Sequence, residues 1–260
     1  MSDANFNADP ADESGASREM ATGSSAAPTP ARQGQIPVSA DIAQAEAKIE
    51  RGIKQRRTSD ITLINYWLYV FIVAPVTLGI YGLVLFFKRI NRIDGFSDRK
   101  RLYYEALIDW TELHSQQKGK EDEVHHMLGD MRSEVQVAYS GDLRKIKAGM
   151  SFLLTIVTIG FYSYFVLYRM NRYWWDAQVV EQDFDDKLSQ VWSRLDLMRY
   201  PVSFTIDQGK QRSYPLYLIL SIVTLGIWGI VWDYKIHTDP ENLFPEFHSA
   251  EDTVLQVVRT

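Results

Sequence analysis

The chain has 260 residues, 46% of them hydrophobic and 23% charged, with a formal net charge of −5 and no cysteine. The missing cysteine excludes disulfides, thiolate metal sites and cysteine nucleophiles, and the mild acidity without a basic stripe excludes a nucleic-acid footprint. Charge is unevenly placed: residues 61–87, 148–168 and 213–232 carry no Asp, Glu, Lys, Arg or His, so a slightly polar average conceals three segments of membrane character.

Residues 1–39 are rich in Ala, Ser, Gly, Asp and Pro and are predicted to be a disordered polar tail. Residues 40–60 follow as an amphipathic lead-in helix, with Ile42, Ala45, Ile49 and Ile53 on one face before Lys54, Arg56 and Arg57, a pattern expected to lie at a membrane surface. No apolar core of secretory type occurs in the first 60 residues, so the first apolar segment, 61–87, is expected to direct insertion itself. Residues 88–147 read as a helical hairpin linker. Leu102, Ala106, Trp110 and Leu113 form one stripe, Val124, Leu128, Met131, Val135 and Ala138 a second, and Lys118-Gly119-Lys120 breaks them apart.

The second apolar segment, 148–168, runs into 169–212, a helical rod and loop in which Val180, Phe184, Leu188, Val191 and Leu195 recur at helical spacing as far as Pro201, with Val202–Ile206 as a brief extended piece. The third segment, 213–232, leads to a C-terminal tail, 233–260, leaving the membrane at Asp239-Pro240. A final short helix is signalled there by Ser249 and Asp252 ahead of Val254, Leu255, Val257 and Val258.

One phrase recurs within the three segments: Val76-Thr77-Leu78-Gly79-Ile80-Tyr81-Gly82, Val157-Thr158-Ile159-Gly160-Phe161-Tyr162-Ser163 and Val223-Thr224-Leu225-Gly226-Ile227-Trp228-Gly229. Eleven residues after each threonine stands a base, Lys88, Arg169 or Lys235. The candidate structural site is therefore Thr77, Gly79, Gly82, Thr158, Gly160, Ser163, Thr224, Gly226 and Gly229. Small residues three apart permit close helix packing in lipid. The same residues permit a helix break that folds each segment into a re-entrant hairpin with limbs of about 15 Å, or a ligand site at broken helices. Length favours three crossings. Charge favours hairpins, because Lys and Arg near the segment ends divide evenly between the two sides that a crossing path would define, whereas one anionic leaflet would attract all of them. The predicted fold is all-α: an integral membrane protein with three repeated apolar helical segments, spanning or re-entrant, and coiled-coil-like linkers.

The phrase, its aromatics and the exits Lys88-Arg89-Ile90-Asn91-Arg92 and Arg169-Met170-Asn171-Arg172 resemble the uncharacterised prokaryotic membrane family called domain of unknown function 4234. The resemblance covers the three segments and their exits, about a third of the chain. The third copy departs from it, with Asp233 before Lys235 and His237 where the second copy has Asn171. The resemblance implies a membrane location and brings no activity, cofactor or catalytic residue.

Chemical candidates elsewhere are bland. His114, His125 and His126, with Glu121 and Asp122 at i, i+4 spacing, lack a third metal ligand and fit a solvated helix face. Asp183, Asp185 and Asp186 flank Phe184 as a solvated coil face would, and Trp174 and Trp175 suggest an interfacial belt. No ionisable group lies inside the apolar segments, as ion-coupled carriers and intramembrane enzymes require, and no phosphate loop or nucleophile elbow occurs. The expected function is a non-enzymatic membrane scaffold or interaction protein without cofactor or metal. The alternative is an oligomeric channel or carrier component with a passive pore. Expected partners are the lipid bilayer and a second copy or another membrane protein through the linkers, and the expected location is the cell membrane, multi-pass, with a cytoplasmic N-terminus.

Overall fold

Each charge-free segment is cut in two by its repeated phrase. In the computed structural model, which describes residues 38–198, 201–202 and 204–260, no strand occurs among the described residues. The elements are α1 (Val38–Lys54), α2 (Arg56–Ser59), α3 (Tyr66–Leu68), a π-helical turn (Tyr69–Val73), α4 (Ala74–Val76), α5 (Ile80–Gln117), α6 (Glu121–Ser140), α7 (Ala148–Val157), α8 (Phe161–Arg194), α9 (Tyr214–Val223) and α10 (Ile227–Val258), with one 3-10 turn at Gln208–Lys210. Three arms result, each a short incoming limb, a turn at the phrase and the start of a long helix. The limbs α7 and α9 have 10 residues each, which at the helical rise is about 15 Å. Among the described residues no helix is long and apolar enough to cross a membrane.

The long helices α5, α8 and α10 leave their arms and converge on a charged body. α5 ends in a Schellman turn, in which Gly119 (φ 67) lets the N–H of Lys120 reach Ser115 O at 2.9 Å. α6 then returns along it, burying Val124, Leu128, Met131 and Val135. α8 closes the layer with Phe184, Leu188, Val191 and Trp192 inside, and Leu195 just past its end is buried with them. Apart from Leu102, which is exposed, the apolar stripes of the linkers are thus buried or half-buried within the chain itself.

Charges are buried alongside them. Arg99 holds Glu251 at 2.8 Å and Asp60 at 2.7 Å, Lys100 holds Glu251 at 2.7 Å and Glu181 at 2.6 Å, and Arg56 holds Glu251 at 2.6 Å. Tyr104 donates its hydroxyl to Glu181, and His248 meets Asp60 at 2.7 Å. Burial alone would raise the Glu251 carboxyl, but Lys100, Arg99 and Arg56 outweigh it and hold it well below the usual carboxylate range.

Several expectations are corrected here. The face of α1 formed by Ile42, Ala45 and Ile49 is buried, and the side chain of Tyr103 on α5 comes so close to Gly52 that an added Cβ there would meet it at 3.4 Å. The apolar face of the lead-in is covered by protein and does not lie at a surface. Trp174 is buried against Phe96 and Phe244 and belongs to the core, not to an exposed belt. α5 runs unbroken past residue 88 and α10 past residue 233, so the arms and linkers share helices. The expected exit at Asp239-Pro240 and separate final helix are instead one helix containing Pro240 and Pro245. Its buried face, Ile236, Leu243, Phe244, Phe247, Val254 and Val258, offsets the hydrogen bonds the prolines remove. The rod α8 stops at Arg194, before Pro201, through a left-handed Asp196 (φ 52). The expected disordered tail, apart from the two residues that open α1, lies outside the described residues, as do parts of the extended piece after Pro201.

Candidate functional site

A helix turn within an apolar segment leaves amide and carbonyl groups that lipid cannot satisfy. The threonine of the phrase answers for both limbs. Its hydroxyl donates to the carbonyl four residues back, from Thr77 to Val73, Thr158 to Leu154 and Thr224 to Leu220, at 2.7 Å in each arm. The same oxygen accepts the N–H four residues on, from Tyr81 at 3.3 Å, Tyr162 at 2.9 Å and Trp228 at 2.9 Å. The threonine carbonyl takes the N–H of the residue three on, Ile80, Phe161 or Ile227. Behind it the incoming limb closes as a Schellman turn: the glycine N–H reaches Ala74, Thr155 or Ser221 O at 2.7–2.8 Å. In the first two arms the next donors, Gly82 and Ser163, bond Gly79 and Gly160 carbonyls, and the Ser163 hydroxyl returns to Gly160 O at 2.6 Å.

The two residues after each threonine both adopt positive φ: Leu78 50° and Gly79 82°, Ile159 51° and Gly160 90°, Leu225 50° and Gly226 92°. Glycine is needed for that conformation and not for space, because a Cβ added at Gly79, Gly160 or Gly226 would meet nothing within 4 Å. The close-packing account of these glycines is therefore replaced by the helix break. Gly82 and Gly229 lie in the outgoing helices, where an added Cβ would come within 3.0 Å of the Tyr69 hydroxyl and 3.7 Å of the Ser221 hydroxyl. The non-glycine partner is strained. A left-handed Leu or Ile costs about 1–2 kcal/mol, yet the strain projects each side chain outward, leaving Leu78 91%, Ile159 91% and Leu225 95% exposed.

Each arm is joined to the next through related positions of its outgoing helix. The aromatic ten residues after each threonine meets an aromatic of the following incoming limb: Phe87 with Phe152 at 4.8 Å, Tyr168 with Tyr214 at 5.4 Å, and Tyr234 with Trp67 at 5.5 Å. Tyr214 and Tyr66 donate their hydroxyls to the carbonyls six residues after a threonine, Tyr164 at 2.9 Å and Ile230 at 3.0 Å. At thirteen residues after, Asn171 donates to Arg212 O at 3.3 Å and His237 bonds Ile64 O at 2.8 Å, the bases of the third and first incoming limbs. In the first arm Asp94 does this work, accepting the N–H groups of Ile146, Lys147 and Ala148 at the start of α7. First holds second, second holds third, and third holds first. These contacts close a ring at the bases of the three arms.

His237 is neutral in this joint. Burial first, then Arg89 and Arg92, lower its pKa to about 4. Its Nδ1 accepts from Arg89 at 3.3 Å, so Nε2 carries the proton donated to Ile64. The departure of the third copy at His237 is a second way of making the Asn171 bond.

The remaining sequence candidates are scattered. His125 and His126 are exposed on α6, and His114 bonds Trp110 O at 3.0 Å. Among the described residues no group of three His, Cys, Asp or Glu is placed to hold a metal. Asp183 pairs with Lys187 at 2.8 Å, whereas Asp185, expected on a solvated face, is buried with Oδ2 unpartnered. Burial, and then the neighbouring Glu181, push its carboxyl well above the usual range.

The arrangement defines an all-helical protein with a charged body and three capped apolar arms joined at their bases. The family model described as Domain of unknown function (DUF4234) matches residues 212–258, the third arm and its long helix, and supports that family for this one copy of the phrase. No curated protein matches the chain, and no solved structure matches it.

Proposed function

We propose that this protein is a non-enzymatic scaffold held in one leaflet of a membrane by its three arms, with the body in the aqueous phase. The observation that carries this reading is the exposure of Leu78, Ile159 and Leu225 at the tips of three arms joined at their bases, on turns whose amides find partners within the arm. Limbs of about 15 Å match half of a hydrocarbon core of about 30 Å, which supports insertion without crossing and favours a scaffold over a pore. Strained apolar residues held in place three times over point to a task at the tips.

The test is vesicle flotation with phosphatidylcholine liposomes. Replacing Leu78, Ile159 and Leu225 together by Asn removes the apolar tips while supplying a residue that tolerates the left-handed region. The natural chain is expected to float with the vesicles and the triple variant to remain in solution with unaltered thermal stability. Equal flotation of the two would overturn the reading.

A further inference from the structure

The arms carry a second feature at a fixed distance from their tips. Lys88, Arg169 and Lys235 each stand eleven residues after the threonine and eight after the first residue of the outgoing helix, about 12 Å along it, from where a long basic side chain reaches the level at which a leaflet inserted to its midplane ends and its headgroups begin. The second arm adds Lys147 eleven residues before Thr158. Among the described residues none of these four has a carboxylate within salt-bridge distance; Arg169 donates only to the backbone carbonyls of Asp142 and Arg144. Carboxylates of the long helices near this level are engaged elsewhere: Asp233 with Arg89, Asp239 with Arg212, and Asp94 with the α7 amides. Asp142 is exposed in the turn before α7, farther from the tip in sequence. The arms thus present a collar of basic residues without ion-pair partners at headgroup depth on a protein whose net charge is −5.

We infer that this collar binds the anionic headgroups of phospholipids, so that the protein selects negatively charged leaflets. The inference rests on the membrane reading above and adds a ligand class to it. A juxtamembrane Lys or Arg attracts an anionic surface independently of its neighbours to a first approximation, so three of them raise partitioning on the order of a hundredfold. Part of that preference is lost at high salt, because the attraction is screened.

The experiment measures partitioning of the full chain onto vesicles of phosphatidylcholine alone and of phosphatidylcholine with phosphatidylserine. It compares the natural chain with Lys88→Gln/Arg169→Gln/Lys235→Gln and with Lys48→Gln/Arg101→Gln/Arg132→Gln, which removes the same charge from the body. Circular dichroism reports that each variant is folded, and Lys88→Gln/Lys235→Gln, compared with Lys48→Gln/Arg101→Gln, serves if the triple collar variant is not. The expected result is a preference for anionic vesicles on the order of a hundredfold, lost in the collar variant and kept in the body variant. Inorganic phosphate should not raise the melting temperature. Retained binding to neutral vesicles without an anionic preference, equal effects of the two charge-removing variants, or stabilisation by inorganic phosphate alone would each overturn the collar while leaving the tips standing. Absence of binding to either vesicle would overturn the membrane reading and the collar with it.

Discussion

The arms and the body invert the usual distribution of side chains between surface and interior. Toward the tips of the arms, where no residue is charged, the most apolar positions are the most exposed; in the body, Arg99, Lys100, Glu181 and Glu251 lie inside among Phe96, Tyr103, Tyr104 and Phe247. Each inversion is tolerable because the backbone groups of the turns and the charges of the central cluster find internal partners. At the tips the threonine hydroxyl takes a carbonyl from one limb and an amide from the other. In the body every charge of the central cluster meets an opposite charge from a different helix. One region is built to do without water as a hydrogen-bonding solvent; the other uses ion pairs to fix which helix lies beside which.

That contrast is tested most strongly in the body. Glu251→Gln leaves Arg99, Lys100 and Arg56 facing a neutral group, and removal of one partner from a buried ion cluster costs about 3–5 kcal/mol. Chemical denaturation should record a loss of that size. A loss below about 1 kcal/mol would mean that water reaches the cluster. Above the ordinary value of 4.5 the lowered pKa of Glu251 contributes its full stabilisation, which is lost as acid approaches the folded-state value.

The joint between the third and first arms should respond to milder acid. His237 titrates near 6.5 when unfolded and at about 4 when folded, so the unfolded state takes up the proton first and stability falls as pH drops through that window, by on the order of 2–3 kcal/mol. Replacing His237 by Asn, the residue that the second arm uses at this position, should keep the joint and remove that pH dependence. An unchanged acid limb of the stability curve would show that another group is responsible.

Within the arms the expected effects are smaller. Thr158→Val keeps shape but deletes the donor to Leu154 and the acceptor for Tyr162, a loss of about 1–2 kcal/mol. Measured in water the loss should be partial, since water can replace the hydroxyl there, and it should grow when the protein is bound to lipid. Equal losses in both settings would contradict insertion of the tip. The smallest change has the opposite sign. Burial disfavours the charged form of the Asp185 carboxyl, at a cost that rises with pH above its ordinary value of 3.8. Asp185→Asn should therefore stabilise the protein at neutral pH by about 1 kcal/mol, and destabilisation would reveal an undetected partner for that carboxylate.

The sequence displays the arms better than the body. Three copies of one phrase, the basic exit at a constant interval and the possibility of a hairpin are visible because a turn in an apolar segment restricts residue choice to Thr and Gly at fixed places. The helical stripes through Val124, Leu128, Met131 and Val135, and through Phe184, Leu188 and Val191, are visible for the same reason: periodicity survives whatever the stripe packs against. Its partner does not show. Nothing in the α1 pattern distinguishes a membrane surface from the face of α5, and nothing in the Trp174-Trp175 pair separates core from interface. The joints are hidden more deeply, since Asn171 and His237 do one job with different chemistry and Asp94 does it from another register. Asp185 is indistinguishable in sequence from Asp183, two residues earlier, until the helices around it are placed.

Closure of the three arms also imposes an order in time. The first and second joints form between neighbouring stretches of chain, but the third brings His237 to Ile64, 173 residues away, and Tyr66 to Ile230, 164 residues away. The base of the first arm, although synthesised earliest, has no partner until nearly all of the chain has emerged. Arg56 and Arg99 wait longer still for Glu251, 195 and 152 residues later. A growing chain therefore carries apolar tips before it has the ring that steadies them, and the long-range contacts that complete the fold are the last and slowest to form.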